Sequence, residues 1–182
     1  SSSELIWKRM RSGLAMKVLL TGSSGQLGKA LRANRPSTID GEPLELICSS
    51  RSGGKGLIAL DLADSECCRA VVNDHRPQWV LNAGAYTAVD KAESEPELAQ
   101  AVNGGGPGAL AEALAATGGR ILQLSTDFVF SGEQGYPYQP DQLPSPLGVY
   151  GASKASGEKA VAVELDLAPH GRATILRTSW LY

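Results

Sequence analysis

The apolar positions of this chain fall into two alternating patterns. Short, nearly unbroken runs rich in Leu, Ile and Val recur near 16–21 (MKVLLT), 44–49 (LELICS), 57–60 (LIAL), 79–83 (WVLNA), 120–125 (RILQLS) and 173–177 (ATILR). Runs of that length without polar alternation predict strands covered on both faces. Between them lie longer, alanine-rich amphipathic stretches, which predict helices near 25–34, 64–75, 90–102, 107–117 and 147–165. Such alternation builds βαβ units, so the predicted fold class is α/β, a doubly wound parallel sheet of six strands. The run GGGPG at 104–108 is expected to interrupt what would otherwise be one helix from Glu97 to Ala116, with Pro107 opening the restarted turn. The stretch YPYQPDQLPSP, ahead of the last helix, reads as an irregular loop.

Composition narrows the class. With 182 residues, 42% hydrophobic and 20% charged, the chain has enough apolar material for one core and is not a disordered polymer. Its net charge of −2 carries no electrostatic footprint for nucleic acid or an anionic membrane. Three cysteines, Cys48, Cys67 and Cys68, form an odd set without CxxC spacing, which fits a reducing, cytoplasmic setting and no metal site. The opening SSSELIWKRMRSGLA has charges where a signal peptide needs apolar residues, and no run is long enough to span a membrane. Because KVLL follows directly on Met16, residues 1–15 read as an extension, with Met10 as a competing start, and the domain is expected over 16–182.

Between the first strand and the first helix stands TGSSGQLGKAL, with Gly22, Gly25 and Gly28 spaced three apart. A glycine triplet between strand and helix is the arrangement that cradles a dinucleotide pyrophosphate. The first glycine permits the tight exit, the second admits close backbone approach, and the third packs helix on sheet. Ser23, Ser24 and Gln26 add side-chain donors, and backbone N–H groups such as that of Leu27 complete the expected cradle. The second strand ends in CSSRSG without the carboxylate that would hold a free ribose. Arg51, helped by Ser50, is placed to pair with a 2′-phosphate, favouring NADP(H) with NAD(H) as the second choice. A solvated loop arginine is the alternative. Asp61 and Leu62, after the third strand, suit an adenine amino group and ring. Ala83, Gly84, Ala85 and Tyr86, after the fourth, suit a ribose or nicotinamide, with tight core packing as the competing explanation.

Two further segments carry candidate chemistry: STDFVF, after the fifth strand, and VYGASKASGEKA, opening the long helix. Tyr150 and Lys154 are four residues apart and therefore share one helix face. A phenol with pKa near 10 is a poor proton donor at neutral pH, and a neighbouring ammonium is expected to lower it; three units require about 4 kcal/mol. Thr126, with Ser125 as the alternative hydroxyl, stands where it can hold a substrate oxygen while Tyr150 supplies its proton.

These residues resemble the extended short-chain dehydrogenase/reductase superfamily and, within it, the dTDP-4-dehydrorhamnose reductases. The narrower likeness rests on NAGAYTAVDKAESEPELAQAVN (82–103), STDFVFSG (125–132), SPLGVYGASKASGEKA (145–160) and RTSWLY (177–182). The resemblance implies a Rossmann-like NAD(P)-binding domain and NAD(P)H-dependent reduction of the C4 keto group of a dTDP-linked sugar to dTDP-L-rhamnose. It further implies Tyr150 as acid, Lys154 as ribose ligand and pKa modulator, and Thr126, Asp127, Tyr150 and Trp180 as substrate contacts, with no resident metal. Another nucleotide-sugar reductase or epimerase, or a non-catalytic NADP-binding regulatory subunit, are the readings it leaves beside this one. The family pattern has Ala where Gly84 stands and Asn where Gly148 stands. Some members link a homodimer through magnesium using a glutamate shortly after the third glycine. Lys29 and Ala30 occupy that neighbourhood here, which counts against that dimer. Family members also continue beyond RTSWLY, so the chain is expected to keep the cofactor half-site and to lack most of the substrate-binding portion.

Overall fold

The computed structural model describes residues 3, 6, 7 and 16–179. Its strands are β1 (Met16–Thr21), β2 (Thr38–Ile39), β3 (Glu42–Ser50), β4 (Ile58–Ala59), β5 (Trp79–Asn82), β6 (Arg120–Thr126) and β7 (Ala173–Thr178). Its helices are α1 (Gln26–Ala33), α2 (Ser65–His75), α3 (Val89–Ala92), α4 (Pro96–Gln100), α5 (Gly106–Thr117) and α6 (Val149–Leu165). The strands form one sheet in the spatial order β2-β3-β1-β5-β6-β7, with β4 also on β3, and every pairing except β2 with β3 is parallel. The six expected strands are all present, and the α/β, doubly wound reading holds. The short β2, which precedes β3 in a tight turn through Asp40 and Gly41, was not legible as an apolar run.

The chain runs outward from β1 to β3 and β4, then returns to build β5, β6 and β7 on the other side of β1. That reversal opens a crevice at the carboxyl ends of β1 and β5, where α/β sheets bind ligands. On one sheet face Leu19, Val80, Ile121 and Ala173 meet Cys68 and Val72 of α2, Leu110 and Leu114 of α5, and Val161 and Leu165 of α6. On the other, Val18, Leu20, Leu81, Leu122 and Leu124 meet Leu31 of α1. Each fully buried aliphatic side chain contributes roughly 1.5–3 kcal/mol of transfer free energy. Ile6 and Trp7, from the stretch expected to lie outside the domain, are buried in this second cluster. No helix among the described residues is long and apolar enough to cross a membrane.

Two expectations are corrected, the first being the helix over 90–102, which is split: α3 ends at Ala92 and α4 opens at Pro96, whose ring cannot continue a helix across the join. Residues 96–117 stay helical through the glycine run: α4 passes into a π-helical turn (Ala101–Gly105) and then into α5, with Gly105 and Gly106 at right-handed helical angles. These glycines serve close approach instead of a break. A Cβ on Gly106 would lie 2.5 Å from the Leu62 carbonyl oxygen, and one on Gly104 would collide with the Gln100 amide. Pro107 comes just after the π-helical turn, so the expected restart of the helix at that proline does not occur.

Candidate active site

At the end of β1 the chain turns through Gly22, whose φ of +62° favours glycine. A Cβ on Gly22 would lie 2.6 Å from Gly84 Cα, so the turn rests on the strand end of β5. Gly84 is itself confined, since a Cβ there would meet Leu62 Cδ1 at 2.7 Å. Its lack of a side chain therefore serves packing. Ser23, fully buried, locks the turn to β3: its N–H donates to the Ser49 carbonyl at 2.9 Å, and its hydroxyl accepts from the Ser49 N–H at 3.1 Å. Both the Ser23 and Ser49 hydroxyls donate to the Leu20 carbonyl at 3.0 Å.

Gly25 is the N-cap of α1, and no side chain caps that terminus. The amides of a helix's first turn lack intrahelical acceptors, and the helix dipole adds positive potential there. Ser24, Gly25 and Gln26 are exposed, Leu27 is half-buried against the second core cluster, and Gly28 is buried against the Gly22 carbonyl. A Cβ on Gly25 would find only the Gly22 carbonyl oxygen, at 3.3 Å. Gly22 thus makes the tight exit and Gly28 the close packing, while Gly25 stands at an exposed helix start with no side-chain cap among the described residues.

At the end of β3, Arg51 is exposed and Ser50 turns inward, its hydroxyl accepting from the Gly53 N–H at 3.1 Å. Asp61 accepts from the Ala63 N–H at 3.0 Å, leaving its other carboxylate oxygen for a ligand. Leu62 is buried between Gly84 and Gly106, more a floor than an exposed cover. Ala83, Gly84, Ala85 and Tyr86 are half-buried along the crevice. The Tyr86 phenol donates to Glu95 Oε2 at 2.6 Å, and that carboxylate pushes it up to about 12.

Thr126, Tyr150 and Lys154 converge at the carboxyl end of β6. The Thr126 hydroxyl accepts from the Phe128 N–H and lies 3.2 Å from Asp127 Oδ1, and Tyr150 sets its ring edge-on to Phe128 at 5.6 Å. The α6 backbone can come this close because Gly151 presents no side chain to the Phe128 carbonyl. Lys154 is 4% exposed and donates to the Leu124 carbonyl at 2.7 Å. Tyr150 differs from expectation. Burial holds its phenol above the ordinary value, Asp127 adds to that, and the favourable influence is the Thr126 hydroxyl; the Lys154 ammonium is turned to Leu124 instead. Ser125, the alternative hydroxyl, is buried with no hydrogen-bond partner among the described residues.

Burial also depresses Lys154 to about 8, partly offset by Glu158. Below about pH 8 both folded and unfolded chains hold this proton, and the folded state bears the cost of a buried ammonium. Between pH 8 and 10.5 the unfolded state binds more protons, so folding stability gains with rising pH. Lys154→Met is therefore expected to be more stable than the parent near pH 7, by on the order of 1–2 kcal/mol, with the difference closing from pH 8 to 10.5. Urea unfolding of both chains across that range checks it, and a gap that widens with pH would contradict it.

Several positioning groups were not evident from sequence. Asn103, on the π-helical turn and 1% exposed, donates to the Tyr86 carbonyl and to Ser153 Oγ, both at 3.0 Å, and accepts from the Tyr86 N–H at 2.9 Å. Ser153 in turn donates to the Tyr150 carbonyl at 2.7 Å. Gln100 donates to Ser156 at 2.7 Å, and Glu93 accepts from the Val149 N–H at 2.8 Å, capping α6 where Gly148 supplies no side chain. On β7, Arg177 grips Glu158 through two nitrogens at 2.9 and 2.7 Å and lies 4.9 Å above the Phe130 ring. Phe130 stacks on Tyr138, and Arg177 reaches the Pro140 carbonyl at 3.2 Å, so the proline-rich loop is tied to α6 through Arg177 and Glu158. Trp180, expected at the sugar, lies outside the described residues.

The RmlD substrate binding domain family model matches residues 16–182. A dTDP-4-dehydrorhamnose reductase of Streptomyces griseus is 45% identical over 164 residues, covering 90% of this chain and 49% of that protein. The enzyme of the same name from Sinorhizobium fredii is 41% identical over 168 residues, covering 92% and 51%. The crystal structure of dTDP-4-dehydrorhamnose reductase from Bacillus anthracis in complex with NADP superposes with a TM-score of 0.79 at 33% identity, covering 94% of this chain and 56% of that one. The chain thus spans about half the length of the curated relatives it matches. With its glycine turn, Thr126, Tyr150 and Lys154 on one sheet edge and a family match over nearly all of its length, the chain belongs to the RmlD substrate binding domain family.

Proposed function

We propose that this chain forms the cofactor-binding and proton-donating part of an NAD(P)H-dependent reductase. In this reading the enzyme converts the C4 ketone of dTDP-4-dehydro-6-deoxy-L-mannose to the alcohol of dTDP-L-rhamnose. The observation that carries the reading is convergence. An uncapped helix N-terminus on a glycine cradle and a Thr126–Tyr150–Lys154 set meet along the carboxyl edge of one parallel sheet. The names and the bound NADP of similar proteins support it.

A bound dihydronicotinamide supplies the hydride that becomes the C–H bond at C4. The α1 amides hold the pyrophosphate, and Arg51 pairs with a 2′-phosphate. Thr126 donates to the ketone oxygen and fixes its distance from Tyr150. As negative charge develops on that oxygen, the Tyr150 O–H bond breaks and its proton passes there. A phenol held above its ordinary pKa stays protonated until that moment, which suits a general acid. The Lys154 ammonium, held by the Leu124 carbonyl, would have to turn from it to meet ribose hydroxyls and the phenolate left behind.

Titration of the chain with NADPH and NADH, followed by nicotinamide fluorescence, tests the reading. NADPH is expected to bind more tightly than NADH, and Arg51→Ala to remove most of that preference, a loss of about tenfold or more for one charge-assisted contact. Failure of both cofactors to bind would sink the proposal.

A further inference from the structure

Three buried polar side chains lie in a single row across the sheet. Thr21 of β1 pairs in register with Asn82 of β5, and Asn82 with Gln123 of β6. Each is 1% exposed. They continue, one step toward the carboxyl edge, the row that Leu19, Val80 and Ile121 occupy in the core. Three apolar residues would fill this layer without desolvating an amide, so their hydrogen bonds matter.

Those bonds all run one way. The Gly84 N–H donates to Thr21 Oγ1 at 3.0 Å, and the Thr21 hydroxyl donates to Asn82 Oδ1 at 2.6 Å. Asn82 Nδ2 donates to Gln123 Oε1 at 2.7 Å, and Gln123 Nε2 to the Leu124 carbonyl at 3.1 Å. Reversing either amide would set like atoms face to face, so each orientation enforces the next. Leu124 O is also the acceptor of the Lys154 ammonium, at 2.7 Å. The Gln123 amide and the Lys154 ammonium thus donate to one oxygen, and aligned bonds upstream strengthen the amide as a donor, so the row competes with the ammonium for that oxygen.

We propose that Thr21, Asn82 and Gln123 are positioning residues for Lys154: a one-way hydrogen-bond row that starts beside the glycine turn and ends as a second donor on the Leu124 carbonyl, weakening that carbonyl's hold on the ammonium. The row ties the turn that would cradle the pyrophosphate to the lysine of the proton-donating set, so the link to catalysis rests on the proposed function. The geometry does not. The other charged groups bearing on Lys154 are Glu158, one helical turn further along α6, and Arg177, which holds Glu158 from β7. Tyr150 is its titratable neighbour one turn earlier on the same helix.

The test is the titration of the Lys154 side-chain ammonium by NMR in the apo chain, its signal assigned by its absence in Lys154→Met. Gln123→Met keeps the volume and removes both amide bonds. It is expected to raise the Lys154 midpoint by about one pH unit, since the Leu124 carbonyl then serves the ammonium alone. Thr21→Val, nearly isosteric and two side chains away, is expected to shift it the same way by less. A role confined to local packing would leave the distant substitution silent. An unchanged Lys154 midpoint in a folded Thr21→Val and a folded Gln123→Met overturns the proposal. Should Gln123→Met fail to fold, Thr21→Val alone decides by the same criterion. NADPH titration of the parent chain reads the function separately: a shift in Lys154 without any cofactor binding would uphold the row and refute the reductase.

Discussion

Gly28→Ala is expected to weaken NADPH binding by between tenfold and about a hundredfold and to destabilise the fold by roughly 1–3 kcal/mol, the range for overpacking a closed site. The added Cβ would overlap the Gly22 carbonyl oxygen and lie 2.7 Å from Ser23 Cα. Both are backbone atoms of a turn that Ser23 and Ser49 lock to β3, so neither can swing aside as a side-chain tip would. The relief available is to lift α1 off the turn, which tilts its N-terminal amides away from the crevice. Gly25→Ala supplies the contrast. Its Cβ would find only one oxygen at 3.3 Å, and its φ of −74° suits any residue. Stability should stay within about 0.5 kcal/mol of the parent, while the methyl narrows the approach to the amides and weakens NADPH binding. Urea unfolding alongside fluorescence titration separates the two. Equal behaviour of both variants would refute the division of labour within the triplet.

Arg177→Ala is the second large effect. It leaves the Glu158 carboxylate, 4% exposed, without its paired cation, and breaking one side of a buried pair costs about 3–5 kcal/mol. The same change frees the Phe130–Tyr138 stack and the Pro140 carbonyl, so the proline-rich loop should lose its tether. Replacing both partners, Glu158→Met with Arg177→Met, removes the uncompensated charge and is expected to recover most of the lost stability without recovering the loop. Unfolding midpoints read the first effect, and amide exchange over 131–147 reads the second. A loss below about 1 kcal/mol in Arg177→Ala would mean that solvent already screens the pair.

What could be read in advance follows from the range over which each signal acts. The six parallel strands were visible because a strand covered on both faces must be apolar at consecutive positions, as in KVLL or WVL. The glycine triplet was visible because its three demands fall within seven residues. Tyr150 and Lys154 were visible as a helical pair, but not the direction of the ammonium, since Leu124 lies thirty residues away in another element. The phenol was misjudged for the same reason: its environment is burial together with Asp127 and Thr126. Gly104 and Gly106 were mistaken for punctuation because glycine in isolation signals freedom, whereas here it answers to Gln100 and Leu62. Thr21, Asn82 and Gln123 were invisible as a group, each resembling an ordinary polar residue in or ending a strand. Register across three strands, which no local pattern records, makes them one row.

The π-helical turn at Ala101–Gly105 also bears on how such chains evolve. A π turn accommodates one residue more than an α-helical turn, and each α-helical residue advances the azimuth by about 100°. Five residues at the wider π step turn through about the same angle as four α-helical residues, so deleting one there would return a regular α-helix with α4 and α5 still in phase. What the deletion would remove is the bulge itself, at which Asn103 meets Tyr86 and Ser153. A single-residue gap within AVNGG thus spares the packing of Gly106 on Leu62 and costs the Asn103 bonds.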